Sequence, residues 1–350
     1  MLDSPAVLPV EAVPTARSCA PMHSILVVPR LLAVGDEALA AAPALAIFNQ
    51  YASRPTIERA SIGRALMNLL RQPQDNAVTP LAALGAGFDP RFEFVFHADP
   101  ITLIAGRDDV LLAGCVADLT MSEASALIAL LNAHFRCDGL EFHAPRPDAW
   151  FLTVREPPEL ATTSLDRVHG SIYPYLPSGA DAAKWRRWMS EMQMLLHEHP
   201  INVQRETRGQ APVSGIWIGE GGIKGQAEAI PALTIVATAD TAGDIVRGVA
   251  RQRGTDALPL PPTWQDLESN DTLAVLSAAS DAAHVALIDR DWFAPATAAL
   301  EHGTLNALTL LADGNGAVIT WTAQSPSWLA RLIARLKPSS FLAPVLDEDT

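Results

Sequence analysis

The stretch LHEHPINVQRETRGQAPVSGIWIGEGG, Leu196–Gly222, decides how this chain folds. It begins inside a helix. Trp185, Trp188, Met189, Met192 and Leu196 recur at helical spacing on one face, so Asp181 to His197 reads as helix and the stripe reads as core. Pro200 has no N–H to donate and ends or restarts that helix. Asn202 to Gly209 follows as a short helix closed by Gly209. Ser214 to Ile218 is then a strand that runs into the loop Gly219-Glu-Gly-Gly222.

Outward from this segment the pattern alternates. Upstream, Phe92, Phe94 and Phe96 alternate with Glu93, Val95 and His97, a strand signature. Ile101 to Ile104 and Val110 to Leu112 form two short strands about the turn Gly106-Arg107-Asp108-Asp109. Thr120 with Glu123 is a capping box opening a helix to about Phe135. Leu140 to His143 and Trp150 to Val154 are strands. Nearer the start, Leu32 to Ala52 and Ile57 to Leu70 read as helices and Gln72 to Asp89 as turns. Downstream, Leu233 to Thr238 is strand, Asp240 caps a helix to about Gln252, and Pro259 to Thr263 is a linker. Leu273 to Leu276 is strand and Asp281 to Glu301 mostly helix. A hairpin joins Leu305–Leu311 to Ala317–Thr322 across Asp313-Gly-Asn-Gly316, and Trp328 to Leu336 is a last helix. The alternation predicts an α/β fold with α+β layering, a mixed sheet with flanking helices. The expected division is a disordered leader (1–24), a helical part (25–90), an α/β region (91–258), a C-terminal α/β part (259–338) and a loose acidic tail (339–350).

Of 350 residues 49% are hydrophobic and 18% charged, enough apolar surface for a packed core. The net charge of −14 disfavours nucleic acid and membrane surfaces as partners. Cys19, Cys115 and Cys137 are odd in number and form no CxxC, as in a reducing, cytoplasmic compartment. The first residues lack a basic start followed by an apolar run and do not read as a signal peptide.

His199, Pro200, Asn202, Arg205, Gly209, Pro212, Ile216, Trp217, Gly219 and Gly221 match, in order and approximate spacing, a motif of the archaeal-type cofactor-independent phosphoglycerate mutases of the alkaline phosphatase superfamily. Phe94 to Asp109 is similar to that family's strand–turn segment, and Thr241 to Gly254 to a later helix. The resemblance covers Phe94 to Gly254, mostly the family's substrate-facing inserted domain. The chain also resembles a bacterial subgroup known either as phosphoglycerate mutase or as regulatory protein E of a pathogenicity-factor (Rpf) cluster. It departs from the family at Ser214 and Gly215, at Ile218, and at Glu220 inside the Gly-rich turn.

The resemblance implies a Ser nucleophile and two divalent ions, which demand a dense Asp and His set. The weak candidates are Asp281, His284, Asp289 and His302; no nucleophile can be named. For a ligand, Arg205 and Arg208 with His197 and His199 offer a fork for phosphate or carboxylate, and Asn202 a cap. Lys224 beside the Gly219–Gly222 loop offers an anion nest. His97, Asp99 and Arg107 lie on the strand–turn segment, where Asp99 and Arg107 can pair.

The leading expectation is a non-catalytic, regulatory relative of the mutase, a pseudoenzyme that binds a small phosphorylated or carboxylate ligand, with no cofactor. The alternative is a working phosphoglycerate mutase using Mn²⁺ or a similar pair and a Ser. A third is a purely protein-binding module.

Overall fold

The computed structural model describes residues 22–336 except 92, 108, 169, 227, 230–232, 270 and 315. Cys19, Phe92, Asp108, the expected tail and most of the expected leader lie outside them. The chain begins with β1 (His23–Val28), α1 (Asp36–Ala40), α2 (Pro43–Tyr51), β2 (Thr56–Glu58), α3 (Ile62–Leu69) and α4 (Val78–Ala86). The middle holds β3 (Phe94–Ala105), β4 (Val110–Cys115), α5 (Met121–Phe135), β5 (Leu140–Arg146), β6 (Ala149–Val154), α6 (Ala182–His197), α7 (Pro200–Thr207) and β7 (Gly215–Gly222). There follow β8 (Thr234–Ala237), α8 (Thr241–Gln252), β9 (Leu258–Pro259), β10 (Thr272–Val275), α9 (Ala282–Ile288), α10 (Ala294–His302), β11 (Ala307–Gly314), β12 (Ala317–Gln324) and α11 (Trp328–Leu336).

Two sheets result, and the α/β class with flanking helices is as expected. The first is mixed, in the order β2-β12-β11-β1-β10-β8-β9. Its centre is parallel: Ile25 lies opposite Leu273 on β10 and Thr309 on β11. The run Ile25-Leu-Val-Val28 is apolar throughout because both faces are covered. Leu26 and Val28 pack with Phe48, Trp292 and Phe293, from α2 and the segment between α9 and α10. Ile25 and Val27 pack with Leu66, Leu81 and Val246, from α3, α4 and α8. The second sheet is antiparallel; β3 pairs with β4, β6 and β7, and β6 pairs with β5. Its core, including Phe96, Phe142, Trp150 and Trp217, packs on Leu127 and Leu131 of α5 and on Trp185 and Met192 of α6. The Trp and Met stripe of α6 is therefore core, as its spacing predicts.

Between the sheets, α4 and α8 touch at glycines. A Cβ on Gly85 would stand 1.8 Å from the Asp244 carbonyl oxygen, and one on Gly248 1.8 Å from that of Leu81. Only hydrogen at both positions allows backbones this close. Beside this contact Asp244, 1% exposed, joins Arg146 at 2.8 Å to Arg247 at 2.8 Å, tying the second sheet's β5–β6 hairpin to α8.

Several elements differ from the sequence reading. The helix expected over Leu32 to Ala52 is broken by Gly35 and restarted by Pro43 at the first position of α2. Ile57 lies in strand β2, and the helix after it begins only at Ile62, capped by Ser61. The expected turns of Gln72 to Asp89 contain α4. Residues 94 to 105 form one strand rather than two. His23–Val28 is strand, at the join of the expected leader and the expected helical part. Among the described residues no helix is long and apolar enough to cross a membrane.

Candidate functional site

Four segments meet in a cleft of about 500 Å³ between the second sheet and the α3–α4 corner. Ser61 and Arg64 line it from the start of α3, Thr79 from α4, Thr162 and Arg167 from the loop after β6, and Glu220 from β7. Ser61 has extended backbone, and its Oγ accepts the Arg64 N–H at 3.3 Å as the α3 cap. Arg64 donates from Nη1 to the carbonyls of Gln74 and Asn76 at 3.2 and 3.0 Å, which fixes its stem while leaving other donors. Thr79 donates to the Glu220 carbonyl and Thr162 to that of Gly219, both at 2.7 Å. Trp217 Nε1 donates to the Thr163 carbonyl at 2.8 Å. Strand β7 is thus the back wall, clamped from both sides. Arg59 and Asp75 complete the rim.

Burial raises the pKa of Glu220 in the cleft wall and of two other carboxyls, Asp99 and Asp313. Burial raises the Asp99 carboxyl to about 7, and the charge of Asp166 adds to the rise. Burial and the same Asp166 raise Glu220, against the pull of Arg64 and Arg167. Asp313, at the end of β11, is raised to about 6 by burial, although it accepts the Arg30 N–H at 2.6 Å; Asp166 again contributes. His97, two residues before Asp99, is held by burial at about 4, so it is neutral, and its ring tilts against Phe151 at 5.2 Å. A Cβ on Gly219 would lie 3.1 Å from His97 Cβ and 3.9 Å from Asp99 Oδ2, so β7 closes directly over both.

Few of the residues singled out in the sequence meet here. Arg205 is fully buried; Nε donates to the Ala211 carbonyl at 2.8 Å, Nη1 reaches Glu123 at 3.4 Å, and Nη2 pairs with Asp118. With an acceptor at each nitrogen it is an internal tie between α7 and α5, not an open clamp. Arg208 is exposed and 3.7 Å from the same Glu123. His199 caps α7, its Nδ1 accepting from Ile201 N at 3.3 Å, and burial lowers its pKa. His197 ends α6 at the surface. Asn202 is buried, donating to the carbonyls of Leu196 and Val213 at 2.7 and 2.8 Å and accepting from Val213 N at 2.9 Å. These bonds hold the α6–α7–β7 corner.

The Gly-rich turn is not a nest but strand β7 itself. Gly221 leaves room for Phe96, whose ring a Cβ would meet at 2.3 Å, and Gly222 for Ala77 at 2.2 Å. Lys224 pairs with Asp89 at 2.5 Å. Arg107 sits in the turn beyond β3 and does not pair with Asp99, which lies in the strand's interior.

The metal candidates are scattered. Asp281 caps α9 by accepting His284 N at 2.9 Å, and His284 Nε2 lies 3.1 Å from Ser277 Oγ. Asp289 is buried and accepts the N–H groups of Ala44 and Leu45 at 3.1 and 2.8 Å, capping α2. His302 Nδ1 meets the Ala298 carbonyl at 2.7 Å. Among the described residues no three His, Cys, Asp or Glu side chains are grouped so as to hold a metal ion. The described residues do not fit the two-ion centre that the sequence resemblance implies.

Sequence reasoning missed Ser61, Arg64 and Arg167. The available signal was Ser61 as a helix cap with Arg64 three residues on; reading Ile57 to Leu70 as one helix buried it.

No family model matches the chain. It is 26% identical over 241 residues to 2,3-bisphosphoglycerate-independent phosphoglycerate mutase 2 of Methanothermobacter thermautotrophicus, across 61% of this chain and 58% of that relative. The chain thus matches less than two thirds of that relative's length. Among solved structures, the cofactor-independent phosphoglycerate mutase of Thermoplasma acidophilum aligns with a TM-score of 0.41 at 17% identity, over 88% of this chain and 91% of that one. The PH0037 protein of Pyrococcus horikoshii aligns with a TM-score of 0.46 at 15% identity, over 87% and 88%.

Proposed function

We propose that the chain is a non-catalytic relative of the cofactor-independent phosphoglycerate mutases, a regulatory protein that binds a small phosphorylated or carboxylate ligand between its two sheets. The observation that supports this reading is the cleft in which Arg59, Arg64 and Arg167 converge with the Ser61 hydroxyl. Guanidinium forks suit phosphate and carboxylate oxygens, and burial raises the pKa of Glu220 in the cleft wall, which lessens its repulsion of an anion. Arg167 is exposed and free to turn onto a ligand. The ligand would dock against β7, with Arg64 already braced by its two carbonyls.

The test is calorimetric titration with 3-phosphoglycerate and with inorganic phosphate. Binding that Arg167→Ala weakens about 10- to 100-fold fits one lost charge-assisted contact. Saturating ligand without a heat signal would sink the reading.

Ser61 favours a second reading, since its hydroxyl is the one on a helix cap that faces the cleft. In that reading Ser61 accepts a phosphoryl group from a phosphoglycerate and returns it to the neighbouring hydroxyl. Mutase turnover that vanishes in Ser61→Ala would establish it over the first.

A further inference from the structure

Two of the residues weighed as metal ligands take part in a different arrangement. Ser277 Oγ lies 3.1 Å from His284 Nε2, and Ser280 Oγ lies 3.3 Å from His284 Nδ1. Ser280 Oγ donates to Asp281 Oδ2 at 2.9 Å, while Asp281 Oδ1 accepts the His284 backbone N–H at 2.9 Å. A carboxylate only accepts, so the Ser280 hydrogen is spent on Asp281 and Ser280 accepts from Nδ1–H. That tautomer leaves Nε2 without hydrogen, and the Ser277 hydroxyl donates to it. The bonds run in one direction, from Ser277 through the imidazole and Ser280 to Asp281. A hydroxyl within reach of an imidazole that a third group orients is the constellation of nucleophilic catalysis.

The fold sets this group where a substrate can reach it. Ser277 follows β10 closely, at the carboxyl end of a strand in the parallel part of the first sheet. β8 lies beside β10 in parallel, yet the helices that follow the two strands cover opposite faces. Ile245 and Val246 of α8 pack with Ile25 and Val27, whereas Val285 and Ile288 of α9 pack with Leu26 and Val28. Neighbouring parallel strands whose loops part to opposite faces open a crevice at their carboxyl ends, the usual ligand site of such sheets. Ser277 is held between two anchors, the Leu276 N–H on the Val27 carbonyl at 2.9 Å and the Ala279 N–H on the Pro29 carbonyl at 2.8 Å. Ser277 and His284 are half-buried, and Ser280 and Asp281 are exposed. None of the four belongs to the wall of the cleft between the sheets.

We propose that Ser277 and His284 are the nucleophile and the base of a second site, which hydrolyses small carboxylic esters. Ser277 Oγ bonds to the carbonyl carbon as its proton passes to His284 Nε2. The bond from that carbon to the alcohol oxygen breaks as Nε2 gives the proton to the departing alkoxide. Water then attacks the acyl-serine and loses a proton to Nε2, which returns it to Ser277 Oγ as the carboxylic acid leaves. Ser280 and Asp281 are positioning residues that hold the ring and its tautomer. Both are exposed, so water screens what the carboxylate lends to the imidazolium, and the easier departure of an alkoxide suits the site better than that of an amine. The reading of the cleft as a ligand site stands beside this one, since acyl transfer at the sheet's end makes no use of it.

The test uses two probes on the full chain: an alkyl fluorophosphonate, from which an activated serine displaces fluoride, and p-nitrophenyl acetate. The expected result is one phosphonate adduct, mapped by peptide mass to Ser277 and absent in Ser277→Ala, with p-nitrophenyl acetate turnover lost in the same variant. His284→Gln should slow labelling at least ~100-fold, the usual worth of a general base. Ser280→Ala should slow it about 10-fold, and Ser280→Thr, which keeps the hydroxyl, should restore it. Were His284→Gln to unfold, seen by circular dichroism, Ser280→Ala and its Thr rescue decide. The proposal is overturned if no adduct forms, if the adduct lies on another residue, or if the folded His284 and Ser280 variants label as fast as the parent. A purely structural pair of hydroxyls on the imidazole would give that last result.

Discussion

Arg205 shows how one residue type serves two ends. Its place in the most informative stretch of sequence suggests a ligand fork, yet its fork is filled from within by Asp118, Glu123 and a carbonyl. Removing a fully buried cation leaves Glu123, itself largely buried, without its partner. Arg205→Ala should therefore lose about 3 kcal/mol in urea unfolding and leave ligand affinity per folded molecule unchanged. The converse holds for Arg167, where affinity should fall and stability should not. His97 and Asp99 form a second pair whose effects oppose. The Asp99 pKa, near 4 in the unfolded chain, is about 7 in the fold, so the fold binds the extra proton and stability falls as pH rises from 4 to 7. The His97 pKa drops from 6.5 to about 4, so the unfolded chain binds the extra proton and stability rises from pH 4 to 6.5. The two slopes nearly cancel. Asp99→Asn should expose the His97 slope, with a denaturation midpoint climbing across pH 4 to 6.5, and His97→Gln should expose the falling one. A midpoint equally flat in both variants would refute the assignment.

At the scale of elements, what could be read from sequence was what its own residues determine. The capping box of α5 needs only Thr120 and Glu123, and both of its bonds form, at 3.2 Å to the Glu123 N–H and 2.9 Å from the Thr120 N–H. The α6 stripe and the β11–β12 hairpin are likewise local patterns, visible before any partner is known. What failed turns on glycine and proline. The α4 sequence VTPLAALGA holds Pro80 and Gly85 and so reads as turns, but Pro80 falls in the first turn, where its missing N–H costs no bond. Gly85 is needed for the approach of α8. The glycines of β7 read as a loop because the sequence cannot show Phe96 and Ala77 standing where their side chains would be. The cleft stayed hidden for a related reason: Ser61, Arg167 and Glu220 come from distant segments that only the packed sheets bring together. The glycine contact is testable. Gly248→Ala should cost about 2–3 kcal/mol, well beyond a propensity effect, because neither backbone can retreat without moving a sheet. Thermal unfolding reads this directly, and a shift near zero would mean that the helices separate freely.

For the whole molecule, the question is how the two sheets keep their spacing around the cleft. Asp244 is one tie, gripping Arg146 from one side and Arg247 from the other, and burial raises its carboxyl pKa against the pull of both guanidiniums. Asp244→Ala leaves two partly buried cations without their shared anion and should cost about 2–3 kcal/mol. It should also loosen the sheets, seen as faster hydrogen exchange in the β5–β6 hairpin and in α8 while α5 and α6 stay protected. Uniform exchange over the whole chain would argue against a local tie. A separate consequence follows from where β1 lies. Its two neighbours in the parallel sheet, β10 and β11, come far later in the sequence, with Ile25 opposite Leu273 and Thr309. The antiparallel sheet is built wholly from residues 94 to 222. On the ribosome, therefore, residues 94 to 222 can condense early, while β1 waits with its apolar run unpaired until β10 and β11 have been made. Such distant pairing slows closure, so β1 is where a chaperone would be expected to hold this protein during synthesis.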